Sequence, residues 1–133
     1  MNEAYTGSCH CGQIRFRIRF SAEQTSFRCN CSICGKTRAW LTAVDADAFT
    51  LLGGEAALAE YRFASHKIRH RFCRNCGVKV FGESTDGQGK PFFAVSLAAL
   101  DDIPAARLSA LPIRYFNGRH DDYEHPPSDP SLL

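Results

Sequence analysis

Seven cysteines are the residues of this 133-residue chain best suited to chemistry, and their spacing sorts them into three groups. Cys29, Cys31 and Cys34 fall within six residues as C-x-C-x-x-C, with no fourth cysteine or histidine close by in sequence. Cys9 and Cys11 flank His10 near the start, and Cys73 and Cys76 form a C-x-x-C pair past the middle. Zinc held by thiolates takes a tetrahedron of ligands at about 2.3 Å; structural sites fill all four corners from the protein, whereas catalytic sites leave one open. Two pairs make one closed site on Cys9, Cys11, Cys73 and Cys76, a clamp that holds the fold. The trio is then left over. It is either a second closed site, completed by His10, His66, His70 or a carboxylate, or an open one. Zinc in an open site polarises a carbonyl or lowers the pKa of a bound thiol. Soft thiolate ligands favour a soft incoming group, so a thiol substrate suits it better than a bare carbonyl.

Metal is preferred to disulfides for two reasons. Seven is an odd number, and C-x-C and C-x-x-C pairs in a reducing compartment read as ligands. The cytosolic location rests on the opening residues, which lack the basic and apolar regions of a signal peptide. No apolar run approaches the roughly 18 residues that cross a bilayer, so no membrane partner is expected. Hydrophobic content of 44% with 23% charged residues is that of an ordinary globular protein, and a net charge of +2 makes nucleic acid an unlikely obligatory partner. The length fits one domain, residues 1–133, with a core over about residues 5–117 and an extended acidic, proline-rich tail over 118–133. A monomer or homodimer is expected.

The elements that must position these thiols read as strands. Ile14, Phe16, Ile18 and Phe20 alternate with three arginines, the period of a half-buried strand. Further strands are expected over residues 40–44, 58–63, 67–72, 78–82, 91–97 and 113–116. Turns are expected at Gly53-Gly54 and over residues 86–90, and a short helix within residues 98–111. Strand, C-x-x-C-Gly, strand is the arrangement of a zinc knuckle, in which Gly77 supplies the positive φ of the turn. The fold class is all-β, mainly antiparallel and stapled by zinc.

Other candidates carry two readings each. His70 alternates with Ile68 and Phe72 and is either a satisfied strand histidine or a ligand. Lys36, Arg38, Arg69, Arg71 and Arg74 lie around the cysteines as either carboxylate anchors for an acidic thiol or a solvated strand face. Arg15, Arg17 and Arg19 form either a solvated face or the footprint of a nucleic acid.

Gly7-Ser8-Cys9-His10-Cys11-Gly12-Gln13, the run from Cys29 to Cys34, and Arg71-Phe72-Cys73-Arg74-Asn75-Cys76-Gly77 together resemble the glutathione-dependent formaldehyde-activating enzyme family, which shares its domain with the centromere protein V group. The resemblance implies a zinc-bound β-tent of antiparallel sheets. It implies structural zinc on Cys9, Cys11, Cys73 and Cys76 and a second zinc on Cys29, Cys31 and Cys34, in agreement with the spacing. It further implies a carbon–sulfur lyase of the S-hydroxymethylglutathione synthase type, with glutathione or a related thiol adduct as ligand and Cys31 and Cys34 at the reacting centre. The alternative is a non-catalytic zinc-stabilised module that binds protein or nucleic acid.

Overall fold

A computed structural model describes residues 3–133. The first part of the chain runs through β1 (Glu3–Ser8), β2 (Arg15–Phe20), β3 (Ser26–Cys29), the helix α1 (Ser32–Thr37), β4 (Leu41–Asp45) and β5 (Phe49–Gly53). It continues through β6 (Leu58–Tyr61), β7 (Arg69–Cys73), β8 (Lys79–Thr85), β9 (Pro91–Ser96), the helix α2 (Ala105–Ser109) and β10 (Ile113–Phe116). The strands form a three-stranded sheet, β1-β2-β5, and a seven-stranded sheet, β10-β3-β4-β9-β8-β7-β6. All pairings are antiparallel except β10 with β3. The expected all-β tent is what the chain adopts. Among the described residues, no helix is long and apolar enough to cross a membrane.

The small sheet lies over one face of the large one. Phe16, Ile18 and Phe20 alternate into the core from β2, as their period demands, and meet Val44, Phe81 and Val95 of the large sheet. Aromatic rings lock the layers together. Phe49 stacks on Phe93 at 4.0 Å between centroids, and Phe16 meets Phe81 edge-on at 6.1 Å. The three arginines of β2 point outward, and Arg19 Nη2 donates to the Asp47 carbonyl at 2.6 Å.

The outer face of the large sheet, turned away from this core, matters more for function. Register places Ala43 opposite Ala94, Ala94 opposite Gly82, and Gly82 opposite His70. Phe27 and Cys29 of β3 share that face with Leu41, and Lys79 joins it opposite Phe72, where the β7–β8 pairing shifts by one residue. A second, smaller apolar cluster of Cys29, Cys34 and Leu41, packed by Phe27, Ala94 and Phe116, occupies one end of the face.

Four local outcomes differ from the sequence expectation. Residues 3–8 lack alternation yet form β1, because β2 offers an edge and Asp101 and Asp102 accept from Ser8 Oγ and from the Thr6 amide and hydroxyl. Residues 49–53 are strand β5 before the glycine turn, paired to β2. The trio opens helix α1, closed by the Gly35 amide on the Cys31 carbonyl at 2.8 Å. The tail holds two short 3-10 turns, Gly118–His120 and Pro130–Leu132, in place of the expected extended run, and Asn117 and Asp122 bond back to each other.

Phe16 is fully buried between the sheets. Phe16→Ala is expected to cost about 3–5 kcal/mol of stability, read as a lower urea midpoint with little change in slope.

Candidate functional site

Cys9 and Cys11 sit in the connection between β1 and β2, while Cys73 ends β7 and Cys76 lies in the turn to β8. One pair therefore belongs to each sheet. Their four sulfurs all lie within 4.8 Å of one another. Tetrahedral zinc with bonds near 2.3 Å sets sulfur–sulfur edges of about 3.8 Å; the Cys9–Cys11 and Cys11–Cys73 edges are 3.6 and 3.7 Å. Amides also point at the sulfurs, as in a knuckle. Ile14 N–H donates to Cys9 Sγ at 3.3 Å, and Asn75 N–H to Cys73 Sγ at 3.4 Å. Gly77 adopts φ +80° and closes the turn onto the Cys73 carbonyl at 2.7 Å. The Val78 amide, ahead of the other groups around it, brings the Cys76 thiol down to about 6. Donor type and distances fit a tetrahedral zinc, and these four residues could hold one.

The trio is built differently. Cys29 ends β3, Cys31 caps α1 and Cys34 lies on its first turn. Among the described residues only the clamp brings its ligand atoms within 4.8 Å of one another, so the trio sulfurs are less tightly gathered. They nevertheless share protons. Hydrogen bonds from the Cys29 and Cys34 thiols, then from the Cys34 and Ile33 amides at the start of α1, hold the Cys31 thiol far below its ordinary range. The same contacts, with burial, push Cys34 far up, and Cys31 raises Cys29. Of the three thiols, Cys31 is the one its surroundings favour as thiolate.

The chain packs tightly against this charge. A Cβ on Gly118 would stand 2.4 Å from Cys29 Sγ and 2.9 Å from Cys31 Cβ, so only glycine fits. Asn30 holds that turn, its Nδ2 donating to Asn117 Oδ1 at 3.0 Å and its Oδ1 accepting from the Arg119 amide at 2.9 Å. Tyr123 folds back edge-on to Phe116, and its hydroxyl, 3.3 Å from the same Gly118 position, is raised first by burial and then by the neighbouring thiolates.

Two further groups face the trio. Lys79 Nζ lies 3.1 Å from His70 Nδ1, and His70 is 7% exposed. Burial and then the Lys79 charge lower the His70 pKa, against the Cys31 thiolate. Burial likewise lowers Lys79, against the thiolates of Cys34 and Cys31. His70 is therefore neutral near pH 7 and accepts from the ammonium. Sequence reading did not find Lys79 or Tyr123, since neither stands near the cysteines with a motif of its own; the odd–even pattern of β7 and β8 was the available signal for Lys79.

Several sequence candidates fall away from the site. Arg69 and Arg71 flank His70 on a strand and so project from the opposite face, where they pair with Glu60 and Glu83 at 2.6 and 2.5 Å. Arg74 Nη2 reaches the Leu58 carbonyl at 3.4 Å. His66 Nδ1 is turned to its own loop, 2.8 Å from the Ala64 carbonyl, and His10 is exposed. Lys36 and Arg38 remain on and beside α1, both exposed.

Fold and thiols together define a β-tent protein with a sheet-bridging four-cysteine site. The profile described as glutathione-dependent formaldehyde-activating enzyme matches residues 4–115, and the chain belongs to that family. A Halomonas elongata protein, provisionally named a glutathione-dependent formaldehyde-activating enzyme, is 36% identical over 83 residues, covering 56% of this chain. The match spans about half, 53%, of that relative's length. A crystal structure of a Rhodobacter sphaeroides protein superposes with a TM-score of 0.68 at 24% identity, covering 82% of this chain and 99% of that one, and shows the same fold.

Cys73→Ser removes a fully buried ligand that ties the two sheets. It is expected to leave the chain aggregated or unfolded. A soluble, well-folded variant with unchanged zinc by elemental analysis rules out the clamp. Gly118→Ala is expected to cost about 1–3 kcal/mol through overpacking and to quicken labelling of Cys29 by a disulfide reagent.

Proposed function

We propose that the chain is a zinc-dependent enzyme of the carbon–sulfur lyase type. On this reading it forms and cleaves the adduct between a thiol, glutathione foremost, and a small aldehyde such as formaldehyde. The observation that carries the reading is the partition of the thiols: four gather at the joint of the sheets, while Cys29, Cys31 and Cys34 stand apart from them at the end of β3 and the start of α1. Family membership supports the substrate class.

On this reading the clamp holds one zinc and Cys29, Cys31 and Cys34 hold a second. A metal bound by the trio supplies Lewis acidity and a lowered thiol pKa. The chain does the rest. The first amides of α1 favour negative charge at Cys31, and Phe116 packs against the cluster. In adduct formation the thiol sulfur attacks the carbonyl carbon: a C–S bond forms, the C=O π bond becomes a C–O single bond, and the thiol proton ends on that oxygen. Cleavage reverses each change.

The test is zinc per folded chain, on protein purified without chelator, before and after dialysis with excess glutathione. Two equivalents falling to one are expected, together with loss of adduct turnover in Cys31→Ser and Cys34→Ser of normal fold. If both variants fold and turn over thiol–aldehyde adducts as the unaltered protein does, the enzyme reading is wrong.

A further inference from the structure

The His70–Lys79 pair has no role in holding the fold that its contacts explain. A half-buried lysine, as Lys79 is, ordinarily ends on a carboxylate. Among the described residues, no carboxylate lies within ion-pair distance of Lys79. Its one close polar neighbour is a neutral imidazole, itself propped by Phe63 stacked at 5.5 Å. The ammonium thus has donors left over and a fixed place.

Lys79 and His70 share the outer face of the large sheet with Cys29, and Gly82 and Ala94 lie between His70 and the cysteine cluster on that face. Ala94 packs against the Cys29–Cys34 cluster, Gly82 is its partner in register, and His70 is the partner of Gly82. The nearest atoms to a Cβ on Gly82 would be the Arg69 carbonyl oxygen and Ile68 Cγ2, both at 3.7 Å, so no clash demands the glycine there and Ile68 borders it. Alanine and glycine keep side-chain bulk low on this stretch of the face.

We propose that Lys79, held by His70, meets the carbonyl-derived oxygen of the thiol adduct and carries its proton. This rests on the lyase reading above for the identity of the adduct. As the C–S bond forms, the ammonium donates a proton to the oxygen that was the carbonyl; the resulting amine takes up the proton released by the thiol. Cleavage runs the other way, and no oxidant or reductant is needed. Burial favours the neutral amine, which suits a lysine that must give up its proton. His70 is a positioning residue: it accepts from Nζ and fixes the direction of the remaining N–H groups.

The experiment pairs binding with turnover. Equilibrium binding by NMR compares S-methylglutathione with S-hydroxymethylglutathione, prepared by mixing glutathione and formaldehyde; the two differ by the hydroxyl alone. Wild type is expected to prefer the hydroxylated ligand roughly tenfold or more, as a hydrogen bond to a charged donor gives. Lys79→Met, with zinc content and melting unchanged, is expected to lose the preference. Lys79→Arg keeps the charge but cannot release a proton, so it is expected to keep the preference and lose turnover. His70→Gln, which still presents an acceptor, is expected to retain the preference that His70→Phe loses. Wild type that binds both ligands equally, or neither, overturns the contact whatever the turnover. Full turnover in Lys79→Arg overturns the proton transfer. A wild type that shows the preference but turns nothing over leaves the Lys79 contact standing while the lyase reading fails.

Discussion

Everything in this fold depends on four sulfurs meeting across about sixty residues of chain. The two sheets share one core, but no strand passes from one to the other; the joint is made where the β1–β2 connection touches the β7–β8 turn. Cys11 and Cys73, 62 residues apart, approach to 3.7 Å there. Closing so long a loop costs entropy before any reward arrives. Metal–thiolate bonding returns roughly 10 kcal/mol or more in comparable small sites. Fixing that joint also sets the angle at which Phe16 and Phe49 meet Phe81 and Phe93, so the aromatic core and the clamp reinforce each other.

With the inner face of the large sheet committed to the core, the outer face is free for chemistry. The alternation of β7 makes the division clear. Arg69 and Arg71 go to one side and are neutralised by Glu60 and Glu83; His70 goes to the other and finds Lys79. The inner-facing charges are paired and inert, while the outer pair keeps an unspoken-for positive charge. Adjacent residues of one strand thus serve opposite faces because the strand period is two.

How much of this was legible in the sequence follows from the range over which each signal acts. Ile14 to Phe20 reads as a strand because its pattern is local and its burial one-sided. The division of cysteines into four and three was also legible, since ligand spacing is a property of a few residues. Strand β1 was not, because Glu3 to Ser8 is held by β2 and by Asp101 and Asp102, which lie more than ninety residues away. Nor was Lys79: its neighbours in space, His70 and the trio, are brought there by registers in β7, β8, β9 and β4 that no short pattern encodes. The tail misled for a related reason. Its prolines and acids look extended in isolation, yet Asn30 on the trio loop and Phe116 on β10 give it a surface to fold onto.

Charge supplies a reason for the trio to lie where it does. Were the trio to hold zinc as proposed, three thiolates around the divalent cation would leave one net negative charge, and a fourth thiolate from a substrate would add another. In a buried place that charge is costly unless a cation stands near. Lys36 and Arg38 are exposed and screened by water, so they offset little of it. Lys79 is the cation that burial makes effective, and the thiolates in turn favour its charged form against desolvation. The same pairing answers both demands of the proposed reaction. The ammonium tempers the negative cluster while the site waits, and it stands ready to pass a proton to oxygen when a carbon–sulfur bond is made.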